Sequence, residues 1–406
     1  MPDRPVLEVA DIIRRYADAY RRMRGGTVPI AEERVLRELA ACRTSAMGGH
    51  LEVCDECGHE RPAYNSCGNR HCPKCQGAAR AAWLAARVEE LLPVPYYHVV
   101  FTLPHHVAPL ALQNKEIVYD LLFRAAAETL QQIAADPRHL GAELGFLAVL
   151  HTWGQNLLHH PHLHCVVPGG GLSPDASRWV ATRSEAFFLP VRVLSRVFRG
   201  KFLDGLKQAY QHGRLSFHGK LASLSQPEAF QRFLCEAYAT AWVVYAKRPF
   251  GGPQQTLKYL ARYTHRVAIS NHRLVSMENG RVTFRWKDYA DGNREKPMTL
   301  DATEFLRRFL LHVFPQGFMR IRQYGFLANC QRQAKLARCR ELIAEQAVEE
   351  NAERPKEPPT PRPPTEHQTS RDCCPKCRKG RMRVVQSLPR PTVQQLLDTP
   401  WRWNTS

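Results

Sequence analysis

Two Cys-x-x-Cys pairs, Cys54/Cys57 and Cys72-Pro-Lys-Cys75, stand fourteen residues apart in a stretch, 48–76, that is rich in Cys, Gly and Asn and follows neither a helical nor a strand period. A segment of that composition has too little apolar surface to order itself, so its fold must be held by a crosslink. Thirteen cysteines pose the choice between disulfides and metal. No apolar run approaches the roughly 20 residues a membrane span needs, and "MPDRPVLEVADIIRR" lacks the apolar core and cleavage site of a secretory signal. The expected location is the cytoplasm, where disulfides are disfavoured. The paired thiols then read as a tetrahedral structural Zn²⁺ site with Cys54, Cys57, Cys72 and Cys75 as ligands. His50, His59, Cys67 and His71 lie near enough in sequence to substitute. Zinc here holds a small segment together, and the folded segment would present Arg61, Arg70, Lys74 and Arg80 to a polyanion.

On either side the pattern becomes regular. Apolar residues recur every three or four positions in "VLEVADIIRRYADAY" and "EERVLRELAAC", predicting helices across 3–45 with a break at Gly25-Gly26, and an Ala-rich helix is expected over 78–92. Past the "PVP" of 93–95, strands are expected at 96–103, 144–153 and 162–169, and helices near 109–135, 191–210, 227–245 and 254–264. That order suits an α+β sandwich with helices over one sheet face. "RLVSMENGRVTFRWKDY" predicts two strands across an Asn279-Gly280 hairpin, and a basic helix follows near 301–313. Residues 351–369 are too rich in Pro and polar side chains for a core and read as a linker. The expected units are therefore 1–92, helical and zinc-binding; 93–275; a basic extension, 276–350; a linker, 351–370; and a tail, 371–406. In the tail "CCPKC" is half a zinc site that takes ligands from Cys330 and Cys339 or from another subunit, which leaves a homo-oligomer open, or else consists of free thiols.

Charge narrows the partner. The chain has 57 Lys and Arg against 38 Asp and Glu, a formal +19, and residues 241–340 alone hold 19 basic and 6 acidic side chains. Cations set against phosphates release condensed counterions, so a patch of this kind favours nucleic acid first and an anionic membrane second.

The run "HHPHLHCVVPGGG" (159–171) carries the chemistry. On a strand, residues two apart share a face, so His162 and His164 present two imidazoles on one side while Leu163 faces the other. The plain alternative is a pair of hydrogen-bonded core histidines. A metal clamp is favoured by the apolar "CVVP" behind the pair, by the close approach that Gly169, Gly170 and Gly171 allow, and by "QTLKYLARYTHRVAIS" (255–270) downstream. There Tyr259 and Tyr263, at i and i+4, share one helix face beside Lys258, Arg262, His265 and Arg266, cations suited to phosphate.

Taken together, "FTLP" (101–104), "HLH" (162–164) and "YLARYTHR" (259–266), with "NSCGNRHCPKC" (65–75) in front, resemble the bacterial insertion-sequence transposases of the rolling-circle, two-tyrosine HUH type with an N-terminal zinc-binding domain. The resemblance implies an HUH-type antiparallel-sheet nuclease domain, ferredoxin-like or RRM-like, preceded by the small helical zinc-binding domain and followed by a basic β/α region. It implies a metal-dependent endonuclease and strand transferase acting on single-stranded DNA at element ends and target, with no membrane partner. His162 and His164 would hold Mg²⁺ or Mn²⁺, with a further ligand from Gln155 or His151 ahead of His159 and His98. Tyr259 or Tyr263 would attack, leaving a 5′-phosphotyrosine and a free 3′-OH, while Lys258, Arg262 and Arg266 bind DNA. The covalent link conserves the energy of the broken bond, and the chain shows no nucleotide-binding loop. Trp286, Tyr289, Phe318 and Tyr324 lie among Arg281, Arg285, Lys287, Arg320 and Arg322; they would stack bases, or equally be core aromatics beside a solvated basic face.

Rival readings share parts of this pattern. A plasmid rolling-circle replication initiator or relaxase nicks by the same His-Tyr chemistry, and a non-catalytic zinc-dependent DNA-binding regulator would need neither tyrosine. A metal-independent tyrosine recombinase would leave a 3′-phosphotyrosine. A carboxylate-triad transposase is disfavoured by the lack of a suitable Asp and Glu set in the central region.

Overall fold

A computed structural model of the chain describes residues 6–88, 90–183, 188–247, 268–289, 291–328, 330–351 and 373–391. Helices α1 (Val9–Met23) and α2 (Ile30–Ala41) lead into the hairpin β1 (Gly49–Cys54) and β2 (Glu60–Tyr64), then α3 (Pro73–Val88). Next come β3 (Tyr96–Thr102), α4 (Ala108–Gln113), α5 (Lys115–Ala135), β4 (Phe146–Trp153), β5 (His159–Pro168), a ribbon of β6 (Gly170–Leu172) with β7 (Trp179–Ala181), α6 (Val191–Gln211), α7 (Pro227–Ala239) and β8 (Val244–Lys247). After residue 267 follow β9 (Leu274–Glu278), β10 (Arg281–Asp288), β11 (Arg294–Asp301), α8 (Ala302–Leu310), β12 (Ile321–Tyr324), α9 (Arg332–Asn351) and β13 (Met382–Leu388).

The central sheet has the order β12-β4-β5-β3-β8 with every pair antiparallel. Two split β-α-β units, β3-α5-β4 and β5-α6-β8, interleave to give β4-β5-β3-β8, the ferredoxin-like order. The fold is thus the expected α+β class, with β12 added at the β4 edge. Strict alternation sorts the side chains. Tyr97, Val99, Phe101, Phe146, Ala148, Leu150, Leu163, Cys165 and Val167 face a core shared with Val118 and Leu122 of α5 and with Phe198 and Phe202 of α6. The opposite face is divided: Leu147, Val149 and Val166 are covered by Phe326 and by Leu336, Cys339 and Leu342 of α9, whereas the other end carries His151, His162 and His164.

That cover depends on one turn. Gly325, at φ +59°, lets the chain leave β12 so tightly that a Cβ there would lie 1.6 Å from the Leu144 carbonyl oxygen. Backbone cannot yield as a flexible side chain can, so Gly325→Ala is expected to cost about 3 kcal/mol and lower the thermal midpoint by several degrees, read by calorimetry.

The second core joins the ends of the fold. Val9, Ile12 and Ile13 of α1 and Val35, Leu36 and Leu39 of α2 pack with Val282 and Phe284 of β10 and with Phe305, Leu306 and Phe309 of α8. Asn271 accepts the Val9 N–H at 3.2 Å. The expected basic extension 276–350 is therefore built onto the N-terminal helices. Its hairpin turns at Asn279 (φ 49°) and Gly280 (φ 76°), the left-handed pair a two-residue turn demands.

Several expectations are corrected. The helix foreseen over 227–245 ends at Ala239, where the Trp242 indole donates to the Ala237 carbonyl, and the chain becomes strand β8. The helix of 109–135 is broken at Asn114, whose amide donates to Leu110 and Ser216 carbonyls. β11 was not foreseen; it carries Pro297 and alternating charges and lies at a sheet edge, where proline is tolerated. Within the tail, β13 pairs with β1 of the N-terminal hairpin. The helix expected over 254–264 and the linker core, 352–369, lie outside the described residues.

Candidate metal centres

α3 begins at Pro73, five residues before the expected start, and this divides the predicted zinc ligands. Cys72 and Cys75 at its N-terminal end meet Cys42 at the end of α2 and Cys67 in the preceding loop; sulfur separations are 3.5 Å for Cys42–Cys75 and 3.6 Å for Cys42–Cys72 and Cys67–Cys75. Cys54 and Cys57 sit at the far tip of the β1–β2 hairpin, with Cys374 and Cys377 as neighbours. A hairpin of five to six residues spans roughly 17 Å, too far for one ion to touch both knuckles. The set Cys54, Cys57, Cys72, Cys75 is thus two half-sites of different clusters. Tetrahedral Zn²⁺ with Zn–S near 2.3 Å requires sulfur separations of about 3.8 Å, against about 2.0 Å in a disulfide, so the Cys42, Cys67, Cys72 and Cys75 spacing fits zinc.

Histidines and cations near the knuckles have other employment. His50 faces Glu52 at 3.2 Å, and His71 stacks on Phe314, where burial pushes it down to about 3. Arg70 donates to the Pro315 and Phe318 carbonyls, Lys74 pairs with Glu8 and Arg61 with Glu52. The Arg80 side chain lies outside the described residues. Sequence reasoning missed Cys42, which looked like the last residue of an amphipathic helix.

The third cluster is made of imidazoles. β4 and β5 align His151 opposite His162 and Val149 opposite His164, so the three rings share one sheet face. Their centroids stand 4.4 Å (His151–His164), 4.8 Å (His162–His164) and 5.5 Å (His151–His162) apart, with one ligand nitrogen from each within 4.8 Å of the others. His162 Nδ1 lies 2.7 Å from the His160 carbonyl oxygen and donates to it. His164 Nδ1 lies 2.8 Å from His98 Nε2, and burial holds His98 neutral, down to about 4. Rings held through Nδ1 in this way leave Nε2 as the candidate ligand atom. Trp153 stacks on His151 at 4.5 Å and fixes the third ring.

Of the other foreseen ligands, Gln155 follows an irregularity in the β4–β5 register between His151 and Trp153, and its amide donates to the Tyr289 hydroxyl. His151 stands beside His162 and His164. His159 is engaged by Tyr119 at 2.8 Å and by the Ala108 carbonyl, and burial lowers it to about 3. Tyr259, Tyr263, Lys258, Arg262, His265 and Arg266 lie outside the described residues, but both flanks of their segment are described. Lys247, the last residue of β8, pairs with His98, and Ala268 and Ile269 are buried in the core that contains Trp153.

Among the foreseen stacking aromatics, Phe318 is core and Tyr324 stacks on Phe146. Arg320 is buried and donates to Gln76, and Arg322 pairs with Asp120 over the Phe123 ring. Tyr289 and Arg285 remain exposed, Arg285 facing Glu295 at 3.6 Å.

A ferredoxin-like sheet that carries three clustered histidines is joined here to a helical module whose clustered cysteines could hold a metal ion. The family described as "Transposase zinc-binding domain" matches residues 12–103, and that described as "Putative transposase" matches 145–334. "Putative transposase y4qJ" of Sinorhizobium fredii is 55% identical over 98% of each chain. "Transposase for insertion sequence element IS801" of Pseudomonas savastanoi pv. phaseolicola is 31% identical over 75% of this chain and 72% of its own. A conjugative relaxase, TrwC, solved in metal-bound form with OriT DNA, overlaps 41% of this chain and 70% of its own at 17% identity and a TM-score of 0.24, too slight a likeness to bear on function. The chain belongs to the insertion-sequence transposases of the IS801 (IS91) type.

Proposed function

We propose that this transposase nicks and rejoins single-stranded DNA at its element ends through a covalent 5′-phosphotyrosine link. The observation that carries the proposal is the three-imidazole centre on adjacent strands, with His162 and His164 each oriented through Nδ1. His151, His162 and His164 would hold one divalent cation, whose chemistry is to neutralise a phosphate's charge and orient it for in-line attack. Three imidazole nitrogens, with no carboxylate in the group among the described residues, favour Mn²⁺ over Mg²⁺, which prefers oxygen. Trp153 and His98 keep the donor set from rotating.

Tyr259 and Tyr263 supply the nucleophiles. The segment that carries them, 248–267, follows Lys247, which pairs with His98 across β8 and β3, and precedes Ala268 and Ile269, which are buried in the same core as Trp153. The phenol loses its proton to solvent and forms an O–P bond; the P–O3′ bond breaks, and the departing 3′ oxygen takes up a proton. Reversal with a second 3′-OH restores a diester and frees the phenol, with no net change in bond count. Lys258, Arg262 and Arg266 would pair with the flanking phosphates. No helix among the described residues is long and apolar enough to cross a membrane. The thiol argument for a homo-oligomer falls away, because Cys374 and Cys377 have cysteine neighbours in their own chain.

With labelled oligonucleotides carrying candidate element ends and Mn²⁺, the protein is expected to form a denaturation-resistant adduct, which disappears in Tyr259→Phe/Tyr263→Phe while DNA binding is retained. An adduct of undiminished yield in that variant points to another nucleophile and overturns the proposal. Origin nicking without excision of a marked element would instead favour a replication initiator or relaxase.

A further inference from the structure

The cluster at the tip of the β1–β2 hairpin combines cysteines from the two ends of the chain. Cys54 Sγ stands 3.7 Å from Cys377 Sγ, and Cys57 Sγ 3.7 Å from Cys374 Sγ, across sequence separations of 323 and 317 residues. All four sulfurs lie within 4.8 Å of one another, and the 3.7 Å pairs match the edge of a tetrahedral zinc thiolate. Residues 373–391 fall outside both matched family regions, 12–103 and 145–334.

The two knuckles are built alike. In the first, Gly58 N–H donates to the Cys54 carbonyl; in the second, Arg378 N–H donates to that of Cys374. Both donors sit four residues after the first cysteine with positive φ, 66° for Gly58 and 58° for Arg378. A left-handed arginine is unfavourable in a free tail and is expected where the turn is imposed by what it holds. Gly380 N–H points at Cys377 Sγ from 3.4 Å, and a Cβ on Gly380 would stand 2.6 Å from Cys54 Sγ, so the second knuckle is seated where only glycine fits. Asp55, between the cysteines of the first knuckle, accepts the Arg381 N–H at 2.7 Å and faces Arg383 at 3.1 Å. From there β13 runs antiparallel along β1, from Cys54 opposite Met382 to Gly49 opposite Leu388.

We propose that Cys54, Cys57, Cys374 and Cys377 bind a second Zn²⁺ that clasps the C-terminal segment onto the N-terminal module. The site is split, with each end of the chain contributing one knuckle and neither sufficient alone. The clasp makes β13 the third strand of a sheet whose other two strands belong to the zinc-binding domain, so residues 373–391 become part of that module despite their place in the sequence.

Zinc content of the purified full chain tests the sharing. Cys54→Ser/Cys57→Ser, Cys374→Ser/Cys377→Ser and the four-serine variant should each hold one zinc fewer per chain than wild type, the last losing no more than either pair. Either pair keeping the wild-type content, or the four-serine variant losing two, overturns the proposal. A second measurement needs no cysteine changes. A sequence-specific protease site placed within 352–372 is cut, and the tail should stay with the body on gel filtration until a chelator strips the zinc. A tail that leaves before chelation, or one that remains once zinc is gone, shows that the metal is not the clasp.

Discussion

His162→Ala/His164→Ala is expected to reduce strand nicking by about a thousandfold with the protein still folded. A cation that neutralises charge on a reacting phosphate supplies several kcal/mol, and about 4 kcal/mol corresponds to three decades in rate. Removal of both rings leaves His151 alone, which cannot retain Mn²⁺ at useful concentrations. The fold should tolerate the change, because the two side chains lie on the sheet face opposite the large aromatic core of Phe101, Phe146 and Phe198. His98→Ala separates ligation from orientation. His98 meets His164 Nδ1 at 2.8 Å, and loss of such a partner weakens metal binding by about 10- to 100-fold. Excess Mn²⁺ should therefore rescue His98→Ala and leave the double variant inactive. Nicking rates across a Mn²⁺ titration, with circular dichroism as the folding control, decide the matter; a double variant that nicks at the wild-type rate would remove the histidine centre from the mechanism.

How much of this could be read from residues alone depended on the range of the determining contact. The His162/His164 pair was legible because a strand's two-residue period is local, and the Asn279-Gly280 hairpin because its turn needs two residues with positive φ. His151 was only a candidate beside Gln155, since what brings His151 beside His162 is the β4–β5 register, a long-range pairing. The zinc ligands failed for a different reason. Sequence spacing paired the two nearest Cys-x-x-Cys motifs, but the hairpin between them holds its ends apart and gives each motif other partners, Cys42 and the nearby Cys67 for one and Cys374 with Cys377, at sequence separations of 317 and 323 residues, for the other. β8 was absorbed into a helical period, and β11 was hidden by Pro297 and by charges that only a solvent-facing edge strand accommodates.

Loss of zinc from the Cys42, Cys67, Cys72 and Cys75 cluster, by chelation or by Cys72→Ser, should unfold the N-terminal module and also weaken the histidine centre. Zinc thiolate sites contribute on the order of 10 kcal/mol to folding, comparable to the whole stability of a typical domain, so the end of α2, the loop that carries Cys67 and the start of α3 cannot stay ordered without it. The damage should spread along one core. Cys42, Cys72 and Cys75 are buried in the cluster that contains Ile12, Leu36, Phe284, Phe305 and Trp153. Hydrogen exchange should therefore rise in α1, α2, β10 and α8, while α5 and β3 to β5, held by the other core, keep their protection. Trp153 is the link to function, because its ring stacks on His151 at 4.5 Å. When its packing loosens, His151 regains rotamer freedom, and Mn²⁺ affinity at the sheet should fall by about tenfold. Exchange that rises only between residues 42 and 75, with Mn²⁺ affinity unchanged, would show that the zinc module and the histidine centre are mechanically independent.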